Sequence, residues 1–233
     1  IQKLFPDVPV LRLDNDSTQN KDSYIEILEK FNHTTPSILV GTQMIAKGLD
    51  FPNITLVGVL SADTSLHLPD YRSAERTFQL LTQVSGRAGR HEKQGEVIVQ
   101  TYTPEHYAIE LAKDQLYEPF YEQEMHNRRL AGYPPYFYIA LVQVTHEDVM
   151  MAAEYCGKVA TYLREHLSFN VSIIGPTTAS ITRLQNRYRY QCLIKYRIEP
   201  NLIPVLLDLI KIYRSEWIKK GITLSIDLDP TMM

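Results

Sequence analysis

Through roughly the first hundred residues, short apolar runs alternate with stretches of helical spacing. Residues 8–13, 37–41, 54–61 and 96–101 are runs of strand length, rich in Val, Ile and Leu. The third is apolar almost throughout, the pattern of a strand buried on both faces. Between the first two, Tyr24, Ile27, Leu28 and Phe31 recur at the spacing of an amphipathic helix over 21–31. A second helix is predicted over 69–85, with Tyr71, Phe78, Leu81 and Val84 facing inward. Strands alternating with helices indicate βαβ units and a mostly parallel sheet, half of a doubly wound α/β domain.

Residues 104–131 read as helical, polar and rich in Glu and Tyr, ending at Gly132 before Tyr133-Pro134-Pro135. Two successive prolines cannot continue a helix, so a domain boundary is expected here. The division predicted is a first domain at 1–116, a linker at 117–135 and a second domain at 136–233. The second domain reads as strand 136–145, helix 149–167, strands 171–174 and 188–196, helix 202–217 and strand 222–227. That βαββαβ order is the smaller α+β, ferredoxin-like arrangement, an antiparallel sheet with two helices on one face. Trp217, on the inner side of the last helix, is expected in the core.

Composition narrows the function classes. The 233 residues carry 24 Lys and Arg against 27 Asp and Glu, a net charge of −3, so a uniformly basic coat is excluded and any nucleic-acid contact must be local. No apolar run approaches the roughly 20 residues of a membrane-spanning helix. Two cysteines, Cys156 and Cys192, form no C-x-x-C pair and support neither a zinc ribbon nor a disulfide scaffold. Neither a signal peptide nor an initiator Met precedes Ile1, so a cytoplasmic protein and a piece of a longer chain are the expectations.

Two segments carry candidate chemistry. Gly41-Thr42-Gln43-Met44-Ile45-Ala46-Lys47-Gly48-Leu49-Asp50-Phe51-Pro52 is a strand end followed by a small-residue turn, where ligands bind in open α/β sheets and glycine lets backbone N–H groups approach phosphate. A plain strand-to-helix connection explains it as well. Gln83-Val84-Ser85-Gly86-Arg87-Ala88-Gly89-Arg90 ends a helix in two arginines among small residues, suited to phosphate. Cations complementing a helix C-terminus are the simpler account of the second segment alone.

Taken together, the segments resemble motifs V and VI of the second, RecA-like motor lobe of superfamily 2 helicases. The likeness is closer still to the bacterial primosomal replication-restart helicases. Ile38 through Gly48, Asp70-Tyr71-Arg72-Ser73-Ala74-Glu75-Arg76, Gln83 through Arg90 and Arg129-Leu130-Ala131-Gly132-Tyr133-Pro134-Pro135 all look like that family, in its order. The resemblance implies arginine fingers at Arg87 and Arg90 that reach the γ-phosphate of ATP held by another lobe, with Gln83 a polar link beside them. It implies that Gly48 and Asp50 couple nucleotide to the DNA-tracking surface, Asp50 on the ribose, and that Thr42 touches the DNA backbone or its coupling loop. ATP and Mg would be shared with a first lobe; the family's zinc insertion is absent from this stretch. Forked and single-stranded DNA, single-strand-binding protein and primosome proteins are the implied partners, and 3′ to 5′ unwinding at stalled forks the implied activity.

No G-x-x-x-x-G-K-[ST] sequence and no Asp-Glu pair occur, so the chain by itself is expected neither to hydrolyse ATP nor to bind it tightly. In the second domain, Arg183, Arg187, Tyr188 and Arg189 cluster at a predicted strand-to-strand turn. Phosphate contact by Arg with stacking on Tyr makes them the local DNA candidate, while a half-buried edge strand describes the alternation equally well. Two other functions fit the same residues: a non-motor scaffold that binds forks for primosome proteins, and a translocase that does not separate strands. The seven histidines, the Asp227 and Asp229 pair and Tyr133-Pro134-Pro135-Tyr136 are expected to be surface residues, a solvated strand end and a rigid turn.

Overall fold

The computed structural model describes residues 1–14, 21–42, 54–86 and 95–231. Their contacts divide into two units: Ile1–Leu68 with Arg72–Tyr121, and Pro69–Tyr71 with Glu122–Met233.

In the first unit, strands β1 (Val10–Leu13) and β2 (Ile38–Gly41) pair in parallel, with Leu13 opposite Gly41. Helix α1 (Lys21–His33) connects them, and Tyr24, Ile27, Leu28 and Phe31 are its partly buried stripe, as the spacing requires. Strands β3 (Leu56–Val59) and β4 (Glu96–Val99) form a second parallel pair. Between these two strands come a short helix α2 (Asp63–Leu66) and helix α3 (Ser73–Ser85). The helix expected to begin at residue 69 thus begins at Ser73. Phe78, Leu81 and Val84 are buried on its inner side, but Tyr71 lies before it and belongs to the second unit. The polar stretch 104–131 is two helices, α4 (Tyr107–Lys113) and α5 (Tyr117–Ala131), separated at Gln115, whose φ of 53° ends the first. Phe78 stacks on Phe120 at 4.0 Å, joining α3 and α5 through an apolar cluster that includes Leu66, Leu81, Ala108 and Ala112.

The second unit is the antiparallel sheet expected from βαββαβ order. Strands β5 (Tyr138–His146), β6 (Ser172–Leu184), β7 (Arg187–Tyr196) and β8 (Thr223–Leu228) lie in the order β6-β7-β5-β8. Helices α6 (Val149–His166) and α7 (Leu202–Ile212) supply the core against one face. Asp148 caps α6, its carboxylate accepting from the N–H of Met150 at 2.7 Å. The alternation expected for β7 holds: Cys192 and Ile194 are buried against the helices, whereas Leu193 packs with Ile139 and Leu141 on the helix-free face.

Three expectations need correction here. β7 is not an edge strand, because it lies between β5 and β6 and both its faces bury residues. β6 does not stop at Ile174. It passes Gly175-Pro176 through register shifts and continues to Leu184, where Gln185 and Asn186, both at positive φ, close a two-residue hairpin into β7. The last helix is regular only to Ile212, then widens through a π turn at Tyr213–Trp217 and tightens to a 3-10 turn at Ile218–Lys220 before Gly221 at φ 74°. Trp217 is buried, edge-on to Tyr155, as expected.

Candidate nucleotide and nucleic-acid interface

Parallel pairing aligns the carboxyl ends of β1 and β2, and Thr42 follows immediately after β2, exposed at that edge. This is the edge at which open α/β sheets bind ligands. Gln83 is exposed in the last turn of α3, two residues before the helix ends. Gly48, Asp50, Arg87 and Arg90 lie outside the described residues.

The carboxyl ends of β3 and β4 are held by Asp63, which sequence reasoning passed over. Its carboxylate accepts from Thr101 Oγ1 at 3.0 Å, from the Tyr102 N–H at 3.2 Å and from Thr103 Oγ1 at 3.4 Å. Burial opposes its charge, but these bonds, Thr101 first, outweigh it and keep the carboxyl below its ordinary value. The signal was local: an acid four residues after the end of β3, among small polar residues.

In the second unit the candidate DNA residues do not form one patch. Arg183 and Tyr188 face each other across the hairpin, the guanidinium 5.0 Å from the ring centroid, and Arg183 also bonds the Asn186 side chain. Arg183 is exposed. Arg187 and Arg189 lie on the other, helix-free face. Arg187 donates to Thr145 O at 3.2 Å, Gly221 O at 2.6 Å and Thr223 Oγ1 at 3.2 Å, with Glu147 at 3.8 Å. Its guanidinium thereby ties the hairpin base to β5 and to the loop before β8. Arg189 donates to Gln143 Oε1 at 3.1 Å across the β5–β7 pair.

Toward its other end, the helix-free face is closed by rings and cations. Tyr71 stacks on Tyr133 at 5.0 Å, Arg128 lies 4.9 Å from the Tyr71 ring and Lys195 Nζ lies 3.5 Å from the Tyr133 ring. Arg128 and Glu124, both buried, pair at 2.6 Å, and Lys195 donates to Ala131 O at 2.9 Å. Burial lowers the Lys195 ammonium below its ordinary value and raises Tyr133, with Asp70 adding to the latter. Each cation is thus buried only with a ring, a carbonyl or a carboxylate beside it. The segment Tyr133-Pro134-Pro135-Tyr136 turns, with the Tyr136 N–H donating to Tyr133 O at 3.1 Å, and brings the Tyr133 ring into this closure. Asp227 and Asp229 are exposed at the end of β8. Among the described residues no group of three His, Cys, Asp or Glu side chains could hold a metal ion, and no helix is long and apolar enough to cross a membrane.

Comparison with known sequences places this geometry in a family. The helicase conserved C-terminal domain matches residues 1–92, and the primosomal protein N C-terminal domain matches residues 129–231. The replication restart protein PriA of Bacillus subtilis is 53% identical over 233 residues, all of this chain and 29% of that protein. The chain belongs to the PriA family. The corresponding protein of Synechocystis is 43% identical over 97% of this chain and 27% of its own length, and that of Treponema pallidum 33% identical over 99% and 34%. The chain therefore spans about a third or less of the length of these PriA relatives. The two matched domains follow one another in the order that the motifs imply, and they agree with an α/β region followed by the antiparallel sheet.

Proposed function

We propose that the chain is the C-terminal portion of an ATP-dependent DNA helicase that moves 3′ to 5′, recognises stalled replication forks and reassembles the primosome there. The observation that supports this reading is 53% identity over the whole of this chain to a replication restart protein, joined to a helicase C-terminal domain match over residues 1–92. ATP and Mg are taken at an interface completed by a first lobe. Arg87 and Arg90 neutralise charge on the transferring phosphoryl group, Gln83 links them to α3, and Gly48 and Asp50 relay the nucleotide state to the strand edge that carries Thr42. Arginine suits the finger role because it stays charged and binds phosphate oxygens in pairs. Contact with forked or single-stranded DNA in the second unit falls to Arg183 and Tyr188 at the hairpin, the exposed cation and its stacked ring. Single-strand-binding protein and other primosome proteins are the protein partners of this reading.

Because the chain has no Walker A sequence, the purified chain is expected to give no ATP turnover. In a full-length protein carrying it, Arg87→Ala should lower DNA-stimulated ATP hydrolysis by at least about a hundredfold while fork binding is retained. Normal hydrolysis in that variant would remove the arginine-finger assignment. Hydrolysis without strand separation on a labelled fork would instead favour a translocase, and fork binding with no hydrolysis in the unmodified protein a scaffold.

A further inference from the structure

Cys156 on α6 and Cys192 on β7 are both fully buried free thiols, and their Sγ atoms lie 3.7 Å apart. The contact crosses the principal helix-to-sheet interface of the second unit. We infer that Cys156 and Cys192 are an oxidisable dithiol, closed by a small peroxide to a disulfide that staples α6 to the sheet's interior strand.

The surroundings favour that closure. A disulfide needs the sulfurs at about 2.05 Å, so from 3.7 Å they must approach by less than 2 Å. Gly175, at φ 125°, lets the β6 backbone pack tightly on Cys192: a Cβ there would meet Gln191 O at 2.6 Å and Cys192 Sγ at 3.3 Å. Arg164 donates to the Gly175 carbonyl at 2.5 Å and brings a cation near the pair. The thiols are also unequal. The hydrogen bond from Cys156, aided by Arg164 and opposed by burial, lowers Cys192, whereas the bond to Cys192 and burial raise Cys156.

Cys192, the thiol packed beside Gly175 whose carbonyl holds the Arg164 guanidinium, acts first. Its thiolate attacks one oxygen of hydrogen peroxide and the O–O bond breaks. The departing hydroxide takes up the proton released from the thiol, giving one water and a sulfenic acid at Cys192. Cys156 Sγ then attacks Cys192 Sγ, the S–O bond breaks, and that oxygen leaves as a second water carrying the Cys156 proton. Overall the dithiol loses two electrons and two protons, and the peroxide is reduced to two waters.

The test treats the reduced chain with hydrogen peroxide, then unfolds it, alkylates with N-ethylmaleimide and reads the intact mass. Uptake should fall from two maleimides to none, with loss of two hydrogens and, after digestion, a peptide pair joining Cys156 to Cys192. The chain should stay monomeric on a non-reducing gel, and dithiothreitol should restore both thiols. Undiminished maleimide uptake, sulfinic acid at both positions without a cross-link, or intermolecular dimers would overturn the inference. Serine variants test the order of attack. Cys156→Ser should leave a sulfenic acid at Cys192 that dimedone traps, whereas stronger trapping at Cys156 in Cys192→Ser would overturn that order.

Discussion

Arg187 and Arg183 stand four residues apart in the same hairpin and do different work. The Arg187 guanidinium joins three segments through Thr145, Gly221 and Thr223, so Arg187→Ala should lower unfolding free energy by about 1–3 kcal/mol in urea titrations. Arg183 is exposed and, among the described residues, meets Asn186 and Tyr188 of its own hairpin, so Arg183→Ala should leave stability within about 0.5 kcal/mol and show its effect in fork affinity. Spacing made the two look equivalent, because a sequence shows that arginines are close but not which face each one takes. Asp63 invites a pH test. Its folded-state pKa lies below the ordinary 3.8, so its contribution is complete above that value and is lost as pH falls through the lower, folded one. Thermal melts on an acid series should show a shallower acid decline for Asp63→Asn than for the unmodified chain.

At the scale of elements, the second unit depends on α6 and on the irregular strand β6. Leu163 is fully buried on α6 against the sheet, and Leu163→Ala should cost about 2–5 kcal/mol of unfolding free energy. Gly175→Ala strikes the register shift itself. At φ 125° and with Gln191 O 2.6 Å from the added Cβ, it should lower the melting temperature more than Gly157→Ala, where a Cβ meets nothing within 4 Å. Most elements were legible from periodicity: α1, α3 after its first turn, β5, α6 and β8 all follow runs of apolar spacing. β6 was not, because Gly175-Pro176 followed by small polar residues has the composition of a loop. The strand persists because β7 offers a partner through the shift, and pairing overrides a weak local preference. The break between α4 and α5 was hidden for the opposite reason: nothing in Asp114-Gln115-Leu116 is a strong helix breaker.

Considered whole, a chain of net charge −3 confines any nucleic-acid contact to local patches. Fluorescence anisotropy of the chain on forked DNA should show affinity falling steeply with salt. Arg183→Ala should reduce the salt slope by about one, and an unchanged slope would place the contact elsewhere. The family match extends over the full chain, and the described residues include part of the motifs that carry it. Thr42 lies exposed at a strand edge and Gln83 exposed near a helix end.

The sequence by itself determined the α/β then antiparallel order, the inward stripes of the helices and the motif spacing, since each depends on neighbours within one or two turns of chain. Only the tertiary structure decided that β7 is interior, that Arg187 is an anchor, that Tyr71 leaves its helix to stack on Tyr133, and that Cys156 meets Cys192. Those are pairings between residues far apart in sequence. Which distant side chain fills a given gap is set by the packing of whole faces, not by any local preference.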